Sequence, residues 1–90
     1  MLVIEFDRGK NMANVAKHGV DMAAAAEFDF ETAETWTDTR ESYGEVRTIA
    51  LGFNTNRLHV LVCTMRGRKL RVISLRKANR KERAAYHAKK

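Results

Sequence analysis

The sequence predicts an α+β domain in which helices pack against an antiparallel β-sheet. Three apolar runs lie at about Val46–Phe53, Arg57–Arg66 and Lys69–Arg76, and the short connections between them permit only antiparallel hairpins. Apolar residues at helical spacing before and after these runs indicate the helices. The chain has 90 residues and no proline, so we expect a single domain over residues 1–90.

The N-terminal part predicts one strand followed by two helices. Residues 2–6 are mostly apolar and read as a short strand that ends at Asp7, a good N-cap for the first helix. That helix should end at Lys17-His18-Gly19, where glycine can adopt the left-handed conformation. Asp21 then caps an alanine-rich second helix that runs to about Phe28.

The remaining elements follow from alternation and capping. A short strand is expected near Trp36, and a loop should follow over residues 38–44. The run Arg57–Arg66 has apolar residues on both faces, which predicts a central strand. Asn79 and Glu82 have capping-box spacing, so the last helix should span Asn79 to about Ala88. The predicted order is β-α-α-β-β-β-β-α.

Charge is distributed unevenly along the chain. The net charge is +6, but residues 66–90 hold eleven Lys or Arg and one acid, Glu82. This basic segment crosses a strand, a turn and a helix, which favours a polyanionic partner such as RNA or DNA over a solvated helix face. The chain carries no apolar run of membrane-spanning length and no secretory signal, which predicts a cytoplasmic protein without a membrane partner.

The composition indicates no cofactor. The sequence has no His-x-x-x-His or paired-cysteine spacing, so we expect neither a metal site nor another cofactor. The single cysteine, Cys63, lies in an apolar strand and is expected to be buried. His59 lies within the same apolar strand, which favours packing over catalysis.

Several motifs together resemble the BrnT toxin family. They occur in the family order over nearly the whole chain and comprise Phe6-Asp7 with Lys10 and Asn14, Lys17-His18-Gly19-Val20, Gly44-Glu45-Val46-Arg47, Gly52, Arg71-Val72-Ile73-Ser74, Arg76-Lys77-Ala78, Glu82 and Tyr86. The resemblance implies a RelE-like fold and arrest of translation by RNA cleavage. It also implies neutralisation by a BrnA-like ribbon-helix-helix antitoxin, through which alone the toxin would meet operator DNA.

Cleavage of RNA without a metal needs a titratable group and a stabiliser of phosphate charge. The candidate catalytic residues are His18, Arg71, Arg76, Glu45 and Tyr86. For three of them the sequence leaves a structural alternative open: His18 as a helix cap, Glu45 as an ion-pair partner of Arg47, and Tyr86 as packing for the last helix. Arg71 and Arg76 are five positions apart, so they should point to opposite faces unless a bulge intervenes.

A second set of cations would hold the RNA backbone. These candidate nucleic-acid-binding residues are Lys17, Arg47, Arg66, Lys77 and Arg80. A basic surface alone does not distinguish a nuclease from a module that binds nucleic acid without cutting it. A metal-independent endoribonuclease is therefore the first hypothesis, and a non-catalytic basic binding module is the alternative.

Overall fold

The computed structural model describes residues 3–89. In chain order its elements are β1 (Val3–Glu5), α1 (Arg8–His18), a 3-10 helix (Met22–Glu27), β2 (Glu34–Thr37), β3 (Thr48–Asn54), β4 (Arg57–Arg66), β5 (Lys69–Lys77) and α2 (Arg80–Ala88). The α+β class is thus confirmed. The predicted start of the first strand at Leu2 lies outside the described residues, and β3 begins two residues later than expected.

Both ends of α1 form as the sequence predicts. The Asp7 carboxylate accepts a hydrogen bond of 2.8 Å from the Lys10 backbone N–H, which satisfies a free donor of the first turn. At the other end Gly19 has a φ of 70°, and its N–H donates to the Val15 carbonyl. No helix within residues 3–89 is long and apolar enough to cross a membrane.

The second predicted helix is a 3-10 helix. Asp21 caps it as expected, by accepting from the Ala23 N–H at 2.9 Å. The backbone then closes the tighter i to i+3 hydrogen bonds, from Ala24 to Asp21 and from Phe28 to Ala25. Phe28 is already extended and bridges to Asn54 at the end of β3. The segment is therefore too short for a regular α-helix, despite its alanine content.

The five strands form one sheet in the order β1-β5-β4-β3-β2. The strand β4 is central, as predicted, and the strands from β2 to β5 are antiparallel neighbours. The expectation of a wholly antiparallel sheet is wrong for β1, which pairs parallel with β5. No hairpin joins these two strands, so the rule that forces short connections to be antiparallel does not constrain them.

The main core lies between one face of the sheet and the layer formed by α1 and the 3-10 helix. Its buried side chains are Val20, Met22, Ala25, Phe28, Ala50, Leu61, Cys63, Leu70, Val72 and Leu75. Leu61, in the central strand, is 0% exposed. Cys63 is buried as predicted, and burial raises the pKa of its thiol to about 11. A deprotonated, reactive thiol is disfavoured in this environment.

A buried amide joins α1 to the free edge of β5. The register of β1 ends where Glu5 pairs with Arg71, while β5 continues to Lys77. Beyond that point the Asn14 side chain donates to the Leu75 carbonyl at 2.8 Å and accepts from the Leu75 N–H at 3.3 Å. Asn14 therefore takes the place of a strand neighbour for β5.

Candidate nucleic-acid interface

The second face of the sheet is only partly covered. The helix α2 packs over one end of it, where Leu51, Leu58, Val60, Ala78 and Tyr86 form a smaller core. The remainder of this face has no helix over it among residues 3–89 and is here called the open face. Its centre is one row of neighbouring side chains across four strands: Trp36, Ile49, Val62 and Ser74.

A β-bulge in β5 determines which arginines reach the open face. Ser74 pairs with Val62, and Val72 pairs with the next residue, Cys63, so Ile73 is the extra residue of the bulge. The extra residue reverses the alternation. Arg71 lies opposite Thr64 and Arg76 lies opposite Val60, and these two partners share one face of β4. Arg71 and Arg76 therefore point to the same side of the sheet.

A cavity of about 250 Å³ lies on the open face between β2 and β5. Its apolar lining residues are Trp36, Ile49, Val60 and Val62, and its polar ones are Arg40, Ser74, Arg76 and Glu82. Apolar side chains and two arginines thus line the same cavity. This combination suits a ligand that has flat apolar parts and anionic groups, as a nucleic-acid strand has.

Glu82 holds Arg76 in position. The two guanidinium NH groups donate to both carboxylate oxygens at 2.8 Å. Glu82 also accepts from the Asn79 N–H at 2.8 Å, which completes the capping box predicted for α2. The Arg76 guanidinium holds the pKa of Glu82 below its ordinary value, so the pair is ionised at neutral pH.

A second arginine-carboxylate pair lies in the loop after β2. Arg40 donates to both oxygens of Asp38, at 2.8 and 2.7 Å, and the Tyr43 hydroxyl donates to the same carboxylate at 3.1 Å. The Arg40 hydrogen bonds hold the pKa of Asp38 far below its usual range. The Asp38 side chain is 0% exposed while that of Arg40 is 68% exposed, so this pair presents its cation to solvent.

The remaining predicted cations on this side are also paired. Arg71 contacts Glu5 at 3.5 Å, which links β5 to β1. Glu45 pairs with Arg47 at 3.4 Å and with Arg66 at 3.1 Å, so the proposed Glu45–Arg47 pair does form. The Arg66 side chain is half exposed. The Arg47 guanidinium stacks on the Tyr43 ring, with 4.0 Å between the guanidinium carbon and the ring centre.

His18 lies in a second cavity of about 250 Å³ at the end of α1. Lys10, Lys17, Ile73 and Ser74 also line this cavity, and Ser74 lines the open-face cavity as well. The two cavities are therefore adjacent across the edge of β5. Desolvation lowers the pKa of His18, and the charges of Lys17 and Arg76 lower it further. The imidazole is therefore mainly neutral at pH 7 and able to accept a proton.

Not every predicted site residue reaches the open face. Tyr86 is buried in the smaller core, its hydroxyl donates to the Thr32 carbonyl at 2.9 Å, and its ring packs edge to face against Phe53. This is the packing alternative that the sequence left open for Tyr86, and its catalytic role stays a prediction. Lys77 and Arg80 are exposed. Lys77 pairs with His59, so it points to the opposite face from Arg76.

Three polar or aromatic contributors to the site were not singled out from the sequence. Trp36 was assigned only as a strand residue, and Ser74 and Arg40 were given no role. The signal for Trp36 was present, because an isolated tryptophan in a short strand must place its ring on one face of the sheet. Among residues 3–89, no group of three or more His, Cys, Asp or Glu side chains could hold a metal ion.

The fold and the open face together define a small basic α+β protein with an arginine-containing cavity on one face of its sheet. The family described as the ribonuclease toxin BrnT of type II toxin-antitoxin systems matches residues 6–82. The chain belongs to this family of toxins.

A solved structure is also similar. The crystal structure of the Brucella abortus ribonuclease toxin BrnT aligns with a TM-score of 0.69 and 27% sequence identity, over 89% of this chain and 100% of that one. No curated protein matches the chain. Membership in this family makes the chain a ribonuclease toxin, and membership in a type II system implies a protein antitoxin.

Proposed function

We propose that this chain is a metal-independent endoribonuclease toxin of RelE-like fold that cleaves cytoplasmic RNA at the open face. The observation that carries the proposal is the bulge at Ile73, because it brings Arg71 and Arg76 to one side of the sheet. Two guanidinium groups on one face can each donate to phosphate oxygens of the same bound strand. Membership in the family indicates the class of reaction, and Arg71 and Arg76 would stabilise the negative charge that develops on the phosphate.

In the proposed reaction the ribose 2′-oxygen attacks phosphorus and the bond to the 5′-oxygen breaks. A base takes the proton of the 2′-hydroxyl, and the departing 5′-oxygen receives a proton. Arg71 and Arg76 stabilise the additional negative charge on the phosphate oxygens. His18 serves as the titrating group, because its lowered pKa leaves the imidazole neutral at pH 7.

The exposed cations around the face steer and hold the RNA backbone. Lys17 borders the His18 cavity, Arg66 is half exposed at the end of β4, and Arg80 begins α2. Arg47 and Lys77 contribute to the same positive field. Contacts of this kind are independent of sequence, and they weaken as salt rises because binding releases counterions.

The test of this function is single-turnover cleavage of RNA in the presence of a chelator, measured against pH. We expect EDTA to leave the rate unchanged. We also expect the rate to fall about tenfold per pH unit below the pKa of His18, which lies under the ordinary value of 6.5, because protonation removes the base. The acidic limb should disappear in His18→Ala.

His87→Ala is the matched control, since His87 is an exposed histidine on α2, and its acidic limb should be retained. A rate that vanishes in EDTA and returns with a divalent cation would contradict metal independence. An unchanged limb in His18→Ala would transfer the role of base to Glu45. Binding of RNA without cleavage by the wild type under all these conditions would favour the non-catalytic module.

The proposed partner is a BrnA-like ribbon-helix-helix antitoxin, which would also provide the contact with operator DNA. Its element that covers the toxin should be acidic, because residues 66–90 carry eleven Lys or Arg and only Glu82 as an acid. Such an element would occupy the arginines of the open face and so exclude RNA.

Co-expression with the adjacent reading frame tests this partner. We expect the two products to co-purify and the second product to restore growth that the toxin alone inhibits. The complex should dissociate more readily at high salt, since charge pairing supports it. Equal growth with and without the second product, together with no co-purification, would contradict the assignment.

A further inference from the structure

Trp36 is the one tryptophan of the chain, and it is 48% exposed. It lies in β2, an edge strand, and its ring contributes to the open-face cavity. Large aromatic side chains are usually more fully covered, because each one buries 150–250 Å² of apolar surface. About half of this side chain is therefore accessible to a ligand on the open face.

The neighbours of Trp36 continue its apolar surface across the sheet. Trp36 pairs with Ile49, which pairs with Val62, which in turn pairs with Ser74. The row therefore begins with an aromatic ring, continues with two aliphatic side chains and ends with a hydroxyl that can donate or accept a hydrogen bond. The cavity over this row has the composition that suits a flat ring with polar edges.

The charged side chains of the cavity indicate which kind of ligand would supply such a flat ring. The exposed guanidinium of Arg40, whose carboxylate partner is fully covered, lines the cavity together with Arg76. A nucleotide strand carries phosphates next to flat rings, so it can contact these cations while a ring occupies the apolar part of the cavity. In a duplex the base faces are stacked on each other, so only an unpaired base can present a face to Trp36.

We infer that the open-face cavity binds one unstacked nucleobase of single-stranded RNA, with the base stacked on Trp36. The inference rests on the proposed function and names the form of its substrate. Stacking of a base on an aromatic side chain contributes about 1–3 kcal/mol, which corresponds to roughly 5- to 150-fold in affinity. Trp36 then selects single strands, whereas the arginines contribute to binding of any phosphate backbone.

The fluorescence of Trp36 reports on this contact directly, because no other tryptophan contributes to the emission. The probe is a short single-stranded 2′-O-methyl oligoadenylate, which lacks the attacking hydroxyl and is not cleaved. We expect it to quench the emission on titration. An abasic strand of the same length keeps the phosphates but lacks the rings, and it should leave the emission unchanged.

Substitution of Trp36 distinguishes the contribution of stacking to RNA affinity from the contribution of charge. Trp36→Ala should raise the Kd for the oligoadenylate by roughly 5- to 150-fold, and Trp36→Phe, which keeps a ring, should raise it less. The Kd of the abasic strand should stay the same in both variants. Met65→Ala is the control, because Met65 is 51% exposed and lies outside the cavity. Melting temperatures establish that each variant folds.

Two results would overturn the inference. In the first, Trp36→Ala binds the oligoadenylate with the same Kd as the wild type. In the second, Trp36→Ala loses as much affinity for the abasic strand as for the oligoadenylate. If Trp36→Ala binds RNA normally but no longer co-purifies with the antitoxin, the cavity belongs to the protein partner instead. If the oligoadenylate quenches Trp36 but the protein does not cleave unmodified RNA, the proposed function is contradicted and this inference is not. If the protein cleaves RNA but the oligoadenylate leaves the Trp36 emission unchanged, this inference is contradicted and the proposed function is not.

Discussion

Replacing Arg76 with alanine is expected to slow single-turnover RNA cleavage by roughly 10²–10³-fold, the loss that follows removal of a preorganised donor to transition-state charge. Arg71→Ala should have an effect of the same kind. In Arg76→Lys the charge remains but the two-pronged contact is lost, so the rate should recover only in part. The measurement is the cleavage rate at saturating protein, together with the melting temperature.

Lys77→Ala provides the matched control for both arginines. Lys77 is an exposed cation adjacent to Arg76 in β5, and it lies on the opposite face of the sheet. Its loss should weaken RNA binding slightly and leave the rate at saturation unchanged. Wild-type rates in folded Arg71→Ala and Arg76→Ala would remove the proposed site and direct attention to Glu45 and Arg47.

Leu61→Ala is expected to lower the free energy of unfolding by about 2–5 kcal/mol. Leu61 is 0% exposed in the central strand β4, so the truncation leaves a cavity that the sheet and α1 cannot easily close. Denaturant unfolding measures the change. Met65→Ala, in the same strand but half exposed, should cost much less. Equal losses in the two variants would contradict the central position of β4.

The local elements were largely predictable from the sequence, because their signals lie within a few residues. Asp7, Gly19 and the Asn79–Glu82 pair each fix a helix end through a hydrogen bond to nearby backbone or side-chain atoms. The apolar residues on both faces of β4 indicated its central place for the same reason. These patterns depend on neighbours in sequence, and they need no information about the rest of the fold.

The parallel pairing of β1 with β5 was not predictable in this way. Val3 pairs with Lys69, and no local pattern in either strand indicates that the two strands are neighbours. The β-bulge at Ile73 was not predictable either, since the residue is neither glycine nor proline and has neither as a neighbour. In retrospect Val72 and Leu75 carry a signal: both are buried in the same core although three residues apart, which strict alternation forbids.

The site was predicted in part for the same physical reason. Arg71 and Arg76 were named from charge and family, but their shared face depends on the bulge. The buried position of Tyr86 was not predictable, because a tyrosine in an amphipathic helix has the same spacing whether its ring packs or projects. The sequence indicates that the Trp36 ring lies on one face of the sheet, but it does not show that this face stays exposed, because exposure is a property of the assembled sheet.

The hydrogen bonds of Asn14 also affect how this protein behaves at high concentration. A strand edge with free N–H and C=O groups can pair with a strand of another molecule and so start aggregation. Past Arg71 the edge of β5 has no strand beside it within residues 3–89, and the Asn14 amide occupies both backbone groups of Leu75 at that edge. A single buried side chain thus blocks intermolecular strand addition there, and it does so without lengthening β1.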